Sequence, residues 1–155
     1  MCILRILIAY YSKTGKTETI PKAIKEFLEP NCEVEMLKIK MAKEYSGLLP
    51  HLNPRILFDI FLSRKPEIKT AIDMSPYDLV CVGTPNWYGR IAPPVNTFIE
   101  KVTGVKGKKA VAFVSSGFGK ESYADGLANR LEEKGFKVLK KLSLSIREIS
   151  ESQLI

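Results

Sequence analysis

With 155 residues, 45% of them hydrophobic and 26% charged, the chain has the composition of one globular domain with a real core. Three scattered cysteines (Cys2, Cys32 and Cys81) and one histidine (His51) exclude a disulfide framework, C-x-x-C metal sites and histidine metal clusters. The net charge of +7 is spread rather than blocked and accompanies no nucleic-acid module, so it reads as a solvated basic surface.

No apolar run is long enough to cross a bilayer, and residues 1–11 read as a buried strand rather than a signal peptide. A cytoplasmic protein with no membrane partner is therefore expected. The first strand covers Cys2, Ile3, Leu4, Arg5, Ile6, Leu7, Ile8 and Ala9. From Thr17 the period turns helical, with Ile20, Ala23, Ile24, Phe27 and Leu28 on one face and Glu29-Pro30-Asn31 as the stop. Pro21 falls about a turn into this pattern and removes a hydrogen bond, so the helix either bends there or starts later. Val34, Met36 and residues 37–39, among Glu33, Glu35 and Lys38, read as a second strand at a sheet edge. Residues 40–75 fit no simple crossover. Within them 41–52 read as loop, and 54–62 as a helix with Pro54 in its first turn and apolar residues on most faces. Such a helix either packs into the core or covers a subunit or partner contact.

Leu79, Val80, Cys81, Val82 and Gly83 form a third strand of the fully buried kind, with Cys81 as a core thiol. A helix over 92–102 follows, with Val95, Phe98, Ile99 and Val102 inward. Strand four covers 110–114. Residues 123–134 form a helix with Leu127, Ala128 and Leu131 inward and Gly135 as its C-terminal stop. A last strand starts at Lys137 and runs toward Ile146. Strands alternating with helices predict an α/β fold, a parallel sheet covered on both faces, as one domain over 1–155. Right-handed crossovers put the ends of strands one, three and four on one rim.

Three loops leave that rim. The first, Tyr11 to Thr17, sets Ser12, Thr14 and Thr17 around Gly15 before a helix start. Unpaired N–H groups and the helix dipole there attract an anion such as a phosphate. Gly15-Lys16-Thr17 also matches the tail of a nucleoside-triphosphate loop, whose first glycine would fall at Tyr10. An ordinary strand-to-helix turn with polar caps accounts for the same residues. The second loop, 83–94, holds the sole tryptophan, Trp87, beside Tyr88 and between Gly83 and Gly89, in a segment too polar to be core. An indole there can stack on a planar ring or pack on the following helix. The third loop, 115–123, is again glycine-bearing, with Phe118 and Tyr123 at hand.

Tyr-Ser-x-Thr-Gly-x-Thr at 11–17, Gly-Thr-Pro-x-Trp-x-Gly-x-x-Ala-Pro-Pro at 83–94 and Ser-Ser-Gly-x-Gly at 115–119 resemble the three FMN loops of the flavodoxin-like family. The resemblance implies a doubly wound five-stranded parallel sheet of order 2-1-3-4-5, with FMN as cofactor. It puts Ser12, Thr14, Gly15, Lys16 and Thr17, with Lys13 in the same loop, at the phosphate. Thr84, Pro85, Asn86, Trp87, Tyr88 and Gly89 fall beside the ribityl chain and isoalloxazine, with Trp87 or Tyr88 against the ring. Ser116, Gly117, Phe118 and Gly119 line its other side, with Phe118 or Tyr123 as second stacking partner. Ligands of open α/β sheets bind at the carboxyl rim where strand order reverses, a rule whose known examples include flavodoxin itself.

Many electron-carrier flavodoxins are acidic near the flavin, whereas Lys13, Lys16, Arg90 and Lys120 stand in these loops. Redox protein partners with an acidic docking surface are expected. The implied function is electron transfer through FMN, with no catalytic side chain and no metal. The alternative is an NAD(P)H-dependent FMN quinone or nitro reductase, with residues 40–65 of a second subunit completing an open site in a homodimer. A nucleotide hydrolase would need the missing first loop glycine and an acidic residue where Thr84 and Pro85 stand. A non-enzymatic module binding through its basic face would take up no FMN.

Overall fold

The computed structural model describes residues 3–13, 18–46, 53–62, 64–70, 72–116 and 122–145. Its elements are β1 (Leu4–Tyr10), α1 (Thr19–Leu28), β2 (Cys32–Lys38), α2 (Pro54–Phe61) and β3 (Leu79–Trp87), then β4 (Arg90–Ile91), α3 (Pro93–Lys101), β5 (Lys109–Ser116), α4 (Tyr123–Lys134) and β6 (Lys137–Ser145). The parallel sheet runs β2-β1-β3-β5-β6, and β4 folds back antiparallel on β3. Counting the principal strands alone, this is the 2-1-3-4-5 order expected.

Central β1 divides one apolar run between two cores, because successive side chains point to opposite faces. Leu7 and Ala9, with Tyr11 beyond the strand, join the buried residues of α2, α3 and α4, whereas Ile6, Ile8 and Tyr10 meet Ile20 of α1. Edge strand β2 is only partly buried at alternate positions. At the other edge β6 carries Lys137, Lys140 and Lys141, and its register skips Leu139, since Val138 pairs with Ala110 and Lys140 with Val111. Charge and irregularity both discourage further strand pairing there. Cys81 is buried as read, and burial pushes its thiol up to about 11.

Helix α1 begins at Thr19, later than the periodicity suggested. Pro21 therefore stands in the first turn, where its missing N–H is one the helix leaves unpaired anyway. Phe27, which shares the helical period of Ile20 and Ile24, is 82% exposed. Helix α2 starts as expected with Pro54, and Asn53 Oδ1 accepts the Arg55 N–H at 2.9 Å as its cap. The core reading of α2 holds for one face only. Ile56 and Ile60 are core, while Phe58, Phe61 and Leu62 are 57%, 57% and 58% exposed. The segment around α2 is tied down by the Met41–Ile68 and Asp73–Thr103 bridges and by Tyr45 Oη donating to Asp59 at 2.7 Å.

The expected strand end at Gly83 is corrected. β3 continues to Trp87, because Asn86 pairs with Ile91 and Trp87 with Arg90 in a hairpin. Its two turn residues, Tyr88 (φ 55°) and Gly89 (φ 74°), both have positive φ, which matches the twist of a two-residue hairpin. The segment read as too polar for the core thus buries its indole. Helix α3 likewise begins at Pro93, with Ala92 before it as cap residue. β5 takes in Ser115 and Ser116, and β6 is described to Ser145. Ile146 lies outside the described residues. Among the described residues no helix is long and apolar enough to cross a membrane.

Candidate functional site

The strand register assembles the rim. Tyr10 of β1 pairs with Gly83 of β3, and Gly83 with Phe113 of β5. Two residues further along, Pro85 pairs directly with Ser115, and Ser12 follows the end of β1. Ser12, Ser115 and Ser116 are all buried at this end of the sheet. The sequence-predicted residues Ser12, Lys13, Thr84, Pro85, Asn86, Trp87, Tyr88, Gly89, Ser116 and Tyr123 are described. Thr14, Gly15, Lys16, Thr17, Gly117, Phe118 and Gly119 lie outside the described residues.

Adjacent in sequence, Trp87 and Tyr88 have opposite environments. Trp87 is 7% exposed, and its ring meets Tyr11 and Tyr45 edge-on, each centroid 5.8 Å away. Such T-shaped contacts suit the ring quadrupoles. Tyr11 in turn donates to Glu44 at 3.4 Å, and burial beside that carboxylate raises its phenol well above the usual value. Tyr45 is raised by burial and by its bond to Asp59. Both phenols therefore stay neutral and serve as apolar walls with one polar tip. Tyr88 is 47% exposed at the hairpin tip, 6.0 Å from the Phe61 ring of α2. A bulky residue at positive φ is a strained conformation of the sort that gathers at functional sites.

Thr84 shapes the hairpin from inside. Its buried Oγ1 accepts the Ala92 N–H at 3.0 Å and donates to the Pro85 carbonyl at 2.9 Å. The hydroxyl thus fixes the return of the chain into α3. Gly83 has no room for a side chain, since a Cβ would run into the ring of buried Phe113.

Beside the hairpin, a cleft of ≈ 490 Å³ is bounded by α2, β4, α3 and α4, and it contains Gly89 and Tyr123 from the predicted set. Among the described residues, Lys65, Arg90 and Arg130 line it against one carboxylate, Asp59. Arg90 also lies over Phe61, 5.5 Å from the ring centroid. Sequence reasoning missed Tyr11, Tyr45 and Phe61 as supports of the rim aromatics. Nothing local marks them, because each pairing joins segments brought together only by the crossovers.

The donor set suits a flavin mononucleotide. A phosphate and polyol need hydroxyl and N–H donors, and Ser12, Ser115 and Ser116 put hydroxyl-bearing residues at this end of the sheet. A planar tricycle needs a flat neighbour, and Tyr88 is an exposed ring on the same rim.

The profile of the flavodoxin family matches residues 5–148. A protein from Bacteroides uniformis assigned as a flavoprotein superposes with a TM-score of 0.76 at 23% identity, covering 99% of this chain and 100% of that one. A flavoprotein from Lactobacillus acidophilus, solved in complex with FMN, gives 0.71 at 23% identity over 89% and 91% of the two chains. A Bacteroides eggerthii protein of the same assignment gives 0.71 at 25% identity over 96% and 94%.

Proposed function

Because the chain belongs to the flavodoxin family, we propose that it binds FMN on this rim and passes electrons between protein partners. The observation that carries the reading is the rim itself. Ser12 follows the end of β1, Pro85 pairs with Ser115 across β3 and β5, and the hairpin that extends β3 carries the exposed and strained Tyr88. FMN supplies the redox chemistry when bound, and the chain supplies binding, orientation and electrostatics. The loop of Ser12, Lys13, Thr14, Gly15, Lys16 and Thr17 holds the phosphate. Tyr88 offers its face to the ring system, while Trp87, locked between Tyr11 and Tyr45, supports the hairpin from beneath. Thr84 keeps the hairpin closed. Excess positive charge favours partners whose docking surface is acidic.

Absorption spectroscopy of the purified protein, with its released cofactor identified, tests this reading. Flavin bands and FMN on release are expected, and FMN should bind far more tightly than riboflavin. A protein that takes up no FMN, or binds both equally, overturns the phosphate assignment.

One observation favours a second reading, an NAD(P)H-dependent reductase: the cleft beside Gly89 lined by Lys65, Arg90 and Arg130, which suits an anionic co-substrate. Rapid bleaching of the bound flavin by NADPH alone would select it. No bleaching selects the carrier.

A further inference from the structure

Among the described residues, four of the exposed large apolar side chains stand together. Phe58, Phe61 and Leu62 form the outer face of α2, and Tyr88 joins them through its contact with Phe61. Among the described residues, Pro54, Leu57, Phe58, Phe61 and Leu62 line an apolar groove of ≈ 440 Å³. Leaving this much apolar surface bare has a cost, and patches of this kind mark interaction sites. The patch is continuous with the hairpin that carries the proposed flavin contact, since Tyr88 belongs to both.

Cations frame it. Arg64 lies over Phe58 at 5.9 Å and Arg90 over Phe61 at 5.5 Å. Among the described residues neither forms an ion pair, whereas nearby Lys65 meets Glu100 at 3.0 Å. An aromatic centre with cations at its border is the usual anatomy of a docking surface, where the centre carries affinity and the charges steer approach.

We infer that the outer face of α2, Phe58, Phe61 and Leu62 with Tyr88, is where an acidic redox protein docks, its carboxylates meeting Arg64 and Arg90 around an apolar centre. The inference rests on the FMN electron-transfer reading and adds where on this chain the partner sits. Charge decides the occupant. A second copy of the chain would press Arg64 and Arg90 against cations of a molecule that itself carries +7, whereas an acidic partner gains from both.

The test uses the FMN-loaded full chain and two probes, a chemically reduced, strongly acidic plant-type ferredoxin and the small reductant dithionite. Stopped-flow rates of flavin reduction are measured for wild type, Phe58→Ser and Arg64→Glu at low and high salt. Both residues are exposed and outside the three loops, so the variants should fold and hold FMN as wild type does. With ferredoxin, each variant should react at least tenfold more slowly at low salt, and the wild-type rate should fall steeply as salt rises. With dithionite all three should react alike. Ferredoxin rates equal in wild type and variants, or a wild type reduced by dithionite but not by ferredoxin, overturn the docking surface and leave the FMN reading standing. A chain that takes up no FMN overturns the underlying reading and this inference with it. Wild type sedimenting as a dimer that Phe58→Ser converts to monomer gives the face to a second copy and also overturns it.

Discussion

Replacing Gly83 by alanine inserts one methyl group at the most crowded point of the rim. The added Cβ would lie 2.8 Å from Cδ2 of Phe113 and closer still to Cε2 and Cζ, all well inside van der Waals contact. Phe113 is fully buried and pairs with Gly83 in the sheet, so neither the ring nor the backbone has room to yield. Overpacking typically costs about 1–3 kcal/mol, and a clash with three ring atoms belongs at the top of that range. Restricting the unfolded chain by removing a glycine offsets about 0.4–1 kcal/mol. The clash wins, leaving a loss of about 2–3 kcal/mol. For a chain of this size that lowers the melting temperature by about 4–12 °C. Phe113→Leu opens the space and removes three buried ring carbons, which should by itself cost about 2 kcal/mol. The assay is urea unfolding of the FMN-free wild type, both single variants and the double variant. The double variant should be more stable than the sum of the single losses, by about 1–2 kcal/mol of coupling. Gly83→Ala within about 0.5 kcal/mol of wild type, or strictly additive losses, would refute the reasoning.

Trp87→Ala should cost about 3–5 kcal/mol of stability by chemical denaturation, because it empties the space between Tyr11 and Tyr45. Tyr88→Gly should act in opposite senses. Relief of the positive φ should raise the stability of the FMN-free protein by about 1 kcal/mol, while loss of the ring weakens FMN binding by about 1–3 kcal/mol in fluorescence titration. Alkaline pH should unfold the protein. Burial raises Cys81 from 9.0 to about 11, and burial with the Glu35 contact raises Tyr77 from 10.0 to about 12. These groups are acids with raised folded values, so their stabilising contribution is complete below the unfolded values and lost as pH rises toward the folded ones. The Cys81 shift alone amounts to about 2–3 kcal/mol. Melting temperature should fall from about pH 9 upward, less steeply in Cys81→Ala, and a flat profile would contradict the burial account. Arg90→Glu should lower the reduction potential of the bound flavin at low salt. Each unit charge ~10 Å away contributes roughly 0.4–1.7 kcal/mol, on the order of 20–70 mV, and spectroelectrochemistry showing a rise would refute the sign.

Much of this molecule was legible in its residues. The apolar run in β1, the buried run in β3 and the Gly135 stop carry their structure locally, through side-chain period and backbone freedom. The strand–loop–helix order set by Ser12 and Thr84 then located the rim, because crossover handedness leaves few ways to arrange alternating elements. What the residues could not announce was decided by partners distant in the chain. Trp87 stands in a polar stretch, yet β4 pairing turns its indole inward onto Tyr11 and Tyr45. Phe27 fits a helical stripe but stands bare, because burial of an amphipathic residue depends on what faces it. The two faces of α2 also became distinguishable only once the sheet claimed Ile56 and Ile60 and left Phe58 and Phe61 beside the hairpin. Periodicity is a property of one segment, whereas burial is a property of two, and only the tertiary structure supplies the second.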